Sequence, residues 1–526
     1  MSDIPDNTTA NDLLFHLSAP YNAPIMEVWI AAMIGRYVVG RDEPWKGPMV
    51  YDVFDGTPSP VGGRATTTLR PTPDNPDAWN LWIAAVESHF LSHHECGVSS
   101  SILSEAFTEE LKGKRSRGRS DRARKRNIVA AIPLVPSSAA LQNQVGIVGS
   151  TQYNDYGSVV EQAFAFGRPS GEAETSAADQ LLTSMKRMMG LDERLAHLNS
   201  AISDGILVRI DPTVHLVEDN FWMAGQAVNS LPYKSLHPKV ISALGGSTPF
   251  HWFHRSWNLL SDEKWIEALP PRRWVDWSIA VIRLGIGMGL LWTNRWYEEI
   301  ARLVVDSTVS IDSDDEIIEY LSNQMRNVDL LRWPESTESY SNRNVKPQFD
   351  QSFRRGMNSS LIILDKSRRT ERDNSTMSQF LQNSRNDRQV VARLEEVLAS
   401  SVEGNRSVQN LRYTAMDLLA ARNSGNGVDD LESADHYSLL HHAGRGSGET
   451  LLFEPTTEVI AVIASLACGA PSTSATLGEV SRELESLGLR PSIAELRKHL
   501  ERAGLSRAVA DASLQIEVNS AFVGRS

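Results

Sequence analysis

The chain has 526 residues, 41% hydrophobic and 22% charged, fractions that are typical of a globular protein and exclude a disordered or fibrous one. Its 52 basic and 65 acidic side chains give a net charge of −13, which argues against a protein that coats nucleic acid. Two cysteines, Cys96 and Cys468, exclude a disulfide scaffold and an all-cysteine zinc site. The acidic start, Met1–Asp12, is unlike a secretory signal, and charges within Trp274–Trp292 disfavour a membrane span, so we expect a cytoplasmic protein.

One short segment carries much of the positive charge. From Lys112 to Arg126 the chain reads KGKRSRGRSDRARKR, with nine basic residues against one acidic residue. The like charges repel, so we predict an exposed basic loop over residues 111–127. Such a loop can bind the phosphates of double-stranded DNA without reading its sequence, and a plain linker or an acidic protein partner is the alternative. The residues proposed to contact DNA are Lys112, Lys114, Arg115, Arg117, Arg119, Arg122, Arg124, Lys125 and Arg126.

The first 230 residues are predicted to be mainly helical. Residues 1–110 form a helical region, and residues 128–230 form a possible winged-helix domain with an irregular insertion. Apolar side chains between Leu181 and Met188 share one helical face, with Gly190 as a C-terminal cap. A second amphipathic helix follows and ends at Gly205. The apolar runs around Asp211-Pro212, which begin at Ile206, predict a β-hairpin that would be the wing.

Seven of the thirteen tryptophans lie between Trp252 and Trp296, which marks residues 231–330 as a Trp-rich helical domain. The sequence predicts a buried helix here, in which Gly285, Gly287 and Gly289 permit close helix packing or a bend. Because tryptophan is a frequent interface anchor, a partner-binding patch is the alternative. The residues of that patch would be Trp274, Trp277, Trp292 and Trp296.

Residues 331–388 are rich in Ser, Asn, Arg and Asp and poor in aliphatic side chains. This composition predicts a polar surface insertion or linker. Within it, the pairs Arg354-Arg355 and Arg368-Arg369 belong by default to a solvated face, and a second phosphate contact is the alternative. Residues 389–450 return to a helical pattern, which we assign to a separate helical region.

Residues 451–526 carry the clearest domain pattern. An apolar helix, Glu458–Cys468, precedes two helices that begin at the capping-box sequences Thr476–Glu479 and Ser492–Glu495. A Gly-Leu-Arg-Pro turn joins these helices, and an alternating strand follows. This order resembles a winged helix, in which Ser492–Leu505 would be the recognition helix. Its outward basic side chains would be Arg497, Lys498 and Arg502, although a near-neutral charge also fits protein docking.

A family resemblance rests on the Trp-rich segment. RRWVDW at 272–277, Arg283 and GLLW at 289–292, combined with the C-terminal winged-helix pattern, resemble uncharacterised accessory subunits of bacterial phage-defence or DNA-modification operons. The resemblance implies a protein complex that works on DNA. It transfers no catalytic residue.

No catalytic or metal-binding pattern stands out in the sequence. His93-His94-Glu95-Cys96 holds four adjacent potential ligands, but adjacent residues on a helix point in different directions. His251 and His254 have aromatic neighbours that favour ordinary core or surface histidines. The loop Gly444–Thr450 lacks the lysine of a phosphate-binding loop, and Asp262-Glu263-Lys264 lacks convergent acidic partners. We therefore predict no catalytic residue, no metal and no cofactor.

The predicted fold class is mainly α and multidomain, α+β locally, with one or two winged helix-turn-helix modules. The predicted function is that of a non-catalytic, DNA-associated adaptor or scaffold in a bacterial multi-protein complex, such as an anti-phage defence system. Its partners would be double-stranded DNA and other protein subunits, with no membrane. A metal-dependent nuclease with an unrecognised motif and a winged-helix transcriptional regulator are the alternatives.

Overall fold

The computed structural model describes residues 10–17, 29–30, 32–34, 76–94, 97–112, 135–138, 156–207, 235–326, 328–339, 341–370, 375–399, 406–421, 437–443, 450–506 and 515–522. Of these residues 69% are helical and 4% lie in strands, so the mainly α fold class is confirmed. The helices in the first half of the chain are α1 (Ala10–Leu13), α2 (Pro76–Val86), α3 (Ser100–Lys112), α4 (Tyr156–Phe166), α5 (Ala177–Leu191), α6 (Glu193–Ile202), α7 (Pro238–Leu244), α8 (Pro249–Leu260) and α9 (Glu263–Ala268).

The second half begins with the longest helix and contains all the strands of the described residues. Its helices are α10 (Pro271–Val305), α11 (Asp314–Arg326), α12 (Lys346–Ser352), α13 (Asn358–Thr370), α14 (Met377–Arg385), α15 (Arg388–Leu398), α16 (Arg406–Leu419), α17 (Thr457–Ala467), α18 (Leu477–Ser486) and α19 (Ile493–Arg502). Its strands are β1 (Ala420–Ala421), β2 (Leu440–Ala443), β3 (Thr450–Phe453), β4 (Ser474–Thr476) and β5 (Glu517–Asn519). They form a sheet in the order β1-β2-β3 and an antiparallel β4–β5 pair.

Helix α10 lies between two neighbouring helices that approach it closely at its glycines. Gly285 and Gly289 are four residues apart and face α8, where an added Cβ at Gly285 would lie 2.6 Å from the Cβ of Phe253. Gly287 lies about 200° further round the helix and faces α16, where an added Cβ would lie 2.7 Å from Leu419 Cδ2. The glycines therefore permit close packing on both sides without interrupting the helix.

The surroundings of α10 decide between the two interpretations of the Trp-rich segment. The four tryptophans proposed as partner anchors, Trp274, Trp277, Trp292 and Trp296, are at most 3% exposed. They fill the interior of this fold and offer no surface to a partner, so that prediction is wrong and the buried-helix prediction is confirmed. Helix α10 is also the one helix among the described residues that is long and apolar enough to cross a membrane, and its apolar window is entirely buried inside the fold. The core helix of a soluble protein can be equally long and apolar, so this helix is weak evidence for a membrane span.

Residues 331–388 fold against α10, which corrects the prediction of a polar insertion or linker. Three helices and a π-helical turn, Phe353–Met357, form here. Their few apolar side chains are concentrated on the inner faces, and Phe349, Phe353 and Phe380 are all buried. The π-helical turn reaches α10 at Gly356, where an added Cβ would lie 2.2 Å from the Asn294 carbonyl oxygen. Composition failed because the rest of these amphipathic helices is polar and faces outward.

The predicted second amphipathic helix extends beyond its expected end. The predicted face from Leu181 to Met188 is buried, but α5 continues past Gly190, which is not its cap, and Asp192 caps α6 by accepting from Arg194 N. A π-helical turn, Ser203–Leu207, then prolongs α6, so the chain is helical where the first hairpin strand was expected. Gly205 lets this turn pack closely on α2, because an added Cβ there would lie only 2.5 Å from Trp82 Cε3. The rest of the predicted hairpin lies outside the described residues.

A single connected core joins the predicted domains. Buried apolar side chains from Ala10 to Val518 belong to one cluster, in which the described residues of all the predicted regions apart from the basic loop take part. Arg283, fully buried on α10, contributes to this continuity: its Nε donates to the Leu418 carbonyl at 2.8 Å and its Nη2 to the Ala420 carbonyl at 3.1 Å. The guanidinium thereby satisfies carbonyl groups at the end of α16 and the start of β1.

Candidate functional site

The basic segment begins at the end of a helix that is hydrogen-bonded to α2. Trp82 on α2 is fully buried, and its indole Nε1 donates to the Ser104 carbonyl at 3.0 Å and to Thr108 Oγ1 at 3.1 Å on α3. These bonds fix α3, whose last residue is Lys112. The side chain of Lys112 and the remaining basic residues up to Arg126 lie outside the described residues. The structure therefore defines the position at which the proposed DNA-binding segment begins.

The C-terminal module, residues 457–522, has the predicted helices with the predicted start positions. Thr476 and Glu479 form a complete capping box at α18. Ser492 caps α19 by accepting from Glu495 N at 3.3 Å, whereas the Glu495 carboxylate accepts a hydrogen bond from Ser336 Oγ at 2.6 Å. Burial alone would raise the pKa of Glu495, but the hydrogen bonds from Ser336 and the nearby charges of Lys498 and His499 together lower the pKa. A side chain predicted to close a local cap thus holds a distant segment instead.

The basic face of α19 is partly covered by residues 333–336. Lys498 Nζ contacts Ser336 Oγ, and the ring of Trp333 packs edge-on against His499 at 5.5 Å. Arg497 Nε donates to Glu501 at 2.7 Å on the same helix. Arg497 and Lys498 are therefore half-buried, which corrects their predicted outward placement. Of the three predicted basic side chains Arg502 alone is exposed.

The C-terminal module is fixed to the rest of the fold by both polar and apolar contacts. Arg255 on α8 forms an ion pair with Glu483, which is buried on α18. Trp265 Nε1 donates to the Gly469 carbonyl at 3.2 Å. The left-handed Gly488, between α18 and α19, accepts at its carbonyl from Leu330 N at 3.0 Å. These contacts fix the C-terminal module against the helical core, so the orientation of its exposed surface relative to the core is defined.

The histidines singled out near residue 93 meet a partner from another helix. His94 Nε2 lies 2.9 Å from His197 Nδ1, and the His93 ring stacks on that of His197 with 4.2 Å between centroids. Burial, followed by the nearby charges of His93 and His94, lowers the pKa of His197. Within the described residues no group of three or more His, Cys, Asp or Glu side chains has a geometry that could hold a metal ion. Glu95 and Cys96 lie outside those residues.

Two other predicted groups have structural partners. Asp262 caps α9 by accepting from Lys264 N at 3.0 Å, which explains an acidic residue at that position without any metal. Arg355, from a proposed phosphate-binding pair, lies 3.7 Å from the buried Glu298 of α10. The next residue, Glu299, pairs with Arg295 at 2.6 Å. These ion pairs lie against α10, so Arg355 stabilises the fold and is not free for phosphate.

A buried polar centre lies where the loop after α4 crosses α8. Arg168 is 5% exposed, and its Nη1 lies 3.2 Å from the Glu174 carboxylate. The preceding residue, Gly167, packs so closely on α8 that an added Cβ would lie 1.9 Å from the Phe250 carbonyl oxygen and 2.8 Å from the His254 Cβ. Burial, followed by the charges of His251 and Arg168, lowers the pKa of His254 to about 4. His254 is therefore neutral at pH 7.

Sequence analysis missed this centre because its members are separated by more than eighty residues and fit no motif. The available signal was the short spacing of His251 and His254, which the aromatic context led us to interpret as ordinary core or surface histidines. That assignment is correct for His254, which is 1% exposed, but it did not include Arg168. The chain matches no protein-family model, no curated protein and no solved structure. Function is therefore inferred from the charges and contacts of this chain alone.

Proposed function

We propose that this chain is a non-catalytic, DNA-associated adaptor of a cytoplasmic bacterial multi-protein complex, with anti-phage defence as the expected setting. It holds DNA through the basic loop and a protein partner through its C-terminal module. One observation carries the proposal, namely the uneven distribution of charge. Nine basic residues against one acidic residue give Lys112–Arg126 a charge of +8, and subtracting this from −13 leaves −21 on the rest of the chain.

The charge distribution restricts where DNA can approach. The acidic remainder repels phosphates, whereas the basic loop attracts them and raises the rate of encounter. The position of α3 supports the proposal. Because α3 is hydrogen-bonded to Trp82 and ends at Lys112, DNA bound by the basic loop would be held close to a fixed point of the fold. Contacts of this kind are independent of base sequence, as suits an adaptor whose partners supply specificity.

The C-terminal module is assigned to protein docking. Its order of helix, strand, helix, helix and strand supports the winged-helix interpretation, in which α19 would enter a major groove. Residues 333–336 cover part of that helix, and Arg497 already pairs with Glu501. DNA reading by α19 would require those residues to leave, at the expense of the Trp333 and Ser336 contacts. Docking through the remaining surface requires no such rearrangement.

The test is the salt dependence of duplex binding. A variant in which Arg115, Arg117, Arg124 and Arg126 are changed to Ala should bind several unrelated duplexes more weakly and to the same extent. Its slope of log K against log salt should fall by about 0.9 for each phosphate that the loop no longer neutralises. The control removes the same charge from exposed arginines elsewhere, Arg194, Arg388, Arg393 and Arg482, and should keep the slope of the unmodified chain. Equal slopes in the two variants would overturn the proposal for the loop.

A second variant separates the loop from the C-terminal module. Arg497→Ala combined with Lys498→Ala should leave duplex binding and its salt slope unchanged, because both side chains are already engaged within the chain. Loss of sequence-selective DNA binding in this variant would instead show that α19 reads the groove. Retention of DNA binding with loss of a co-purifying subunit encoded in the same operon would support docking.

A further inference from the structure

Arg168 presents an unused pair of hydrogen-bond donors inside the fold. Its Nε and Nη2 are both buried and have no hydrogen-bond partner among the described residues, while Nη1 pairs with Glu174. Nε–H and Nη2–H lie parallel on the same edge of the guanidinium, in the geometry that binds the two oxygens of a carboxylate or phosphate. A buried cation with two unmet donors is costly, so this edge is suited to an anionic ligand.

A neighbouring histidine contributes a further donor. Asn258 Oδ1 accepts from Gln180 Nε2 at 2.6 Å, which orients the Asn258 amide so that its Nδ2 donates to His254 Nδ1 at 3.3 Å. With the Gln180 and Asn258 amides in these orientations, the hydrogen of the neutral His254 ring is on Nε2. That Nε2 is buried and has no partner in the described part of the chain. Arg168 Nε, Arg168 Nη2 and His254 Nε2 are thus three unmatched donors, which is the chemistry of an oxyanion site, while the neighbouring Gln180 Oε1 is an unmatched acceptor.

A comparable group of donors, at the N-terminus of α5, has an acceptor from within the chain. At the N-terminus of α5, the carboxylate of the buried Glu161 accepts hydrogen bonds from Ser176 Oγ at 2.8 Å, Ala178 N at 2.8 Å and Ala177 N at 3.2 Å. The chain there fills an oxyanion position with its own side chain. At Arg168 the described residues supply a carboxylate to Nη1 but none to the Nε–Nη2 edge.

We propose that Arg168 binds the oxyanion group of a small ligand, a carboxylate or a phosphate, through Nε and Nη2, with His254 Nε2 as an additional donor. The exposed Glu174 lies at the solvent side of the site and pairs with Nη1. Gly167 is required because no side chain fits between this loop and α8. The site is independent of the basic loop and of the DNA-adaptor proposal.

The experiment measures thermal unfolding of the full chain in rising concentrations of sodium phosphate or sodium acetate, with sodium chloride keeping the ionic strength constant. Binding to the folded state should raise Tm in a saturable manner. Arg168→Lys keeps the charge but loses the paired donors, so its apparent Kd should be at least tenfold weaker. The control is Arg283→Lys, at a buried arginine whose donors already bind carbonyl groups. It should unfold at lower temperature and keep the wild-type apparent Kd.

Two results would overturn the proposal: no saturable shift with either anion, or the same apparent Kd in the wild type and Arg168→Lys. The anion that binds more tightly identifies the ligand class as carboxylate or phosphate. If Arg168→Lys does not fold, Glu174→Gln provides the same information. It removes a competing negative charge beside the site without touching the Nε–Nη2 edge, so the apparent Kd for the anion should fall several-fold. An unchanged or weaker Kd in Glu174→Gln contradicts an anion site at Arg168.

Discussion

The change Gly285→Ala places the packing of the central helix under a direct test. In an open helix this change stabilises by about 1 kcal/mol, because alanine loses less backbone entropy than glycine. At Gly285 the new Cβ would lie 2.6 Å from the Cβ of Phe253, and neither atom can rotate away. Restoring the shortest ordinary contact requires a separation of α10 and α8 by roughly 0.8 Å. Overpacking of this kind costs about 1–3 kcal/mol, so we expect a net destabilisation of up to about 2 kcal/mol.

The assay is urea unfolding of the full chain followed by tryptophan fluorescence, with two matched alanine variants. Gly190→Ala lies on α5, where an added Cβ meets nothing within 4 Å, and should stabilise by up to about 1 kcal/mol. Gly287→Ala meets the movable end of the Leu419 side chain and should fall between the other two. If Gly285→Ala stabilised the chain as much as Gly190→Ala does, the close approach of α10 and α8 would be refuted.

Three further predictions concern the core, the buried histidine and catalysis. Leu496→Ala, at a fully buried position of α19, should lower the free energy of unfolding of the full chain by about 2–5 kcal/mol in chemical denaturation. A change below about 0.5 kcal/mol would mean that the helix is rotated from its described position. Burial lowers the pKa of His254 from 6.5 to about 4, so between these pH values the unfolded chain binds a proton that the folded chain does not. The free energy of unfolding should therefore be full above pH 6.5 and fall by about 3 kcal/mol as pH falls towards 4. His254→Phe should flatten this part of the stability–pH curve, and an unaltered curve would contradict a neutral buried His254. Purified protein with magnesium, manganese or zinc should neither cleave DNA nor hydrolyse nucleotides, and metal-dependent turnover that His93→Ala or Asp262→Ala abolishes would favour the nuclease alternative.

Local sequence rules predicted those features that are determined within one or two helical turns. The capping box at Thr476, the N-cap at Ser492 and the buried positions Leu496 and Leu500 were all predicted from spacing alone, and the structure confirms them. The reason is that capping and amphipathic periodicity depend on residues three or four apart, so the chain carries them wherever the helix lies. The same rules predicted the buried helix around Gly285.

Tertiary structure decided the features that depend on contacts between distant segments. Whether the tryptophans of α10 face a partner or the core depends on α8 and α16, which enclose that helix from both sides. Whether residues 331–388 fold depends on the apolar surface of α10, because their short helices gain most of their stability from packing. Arg168 and His254 meet for the same reason. Each lies in an unremarkable local sequence, and the packing of the loop at Gly167 against α8 removes both side chains from water and leaves their donors without a partner among the described residues.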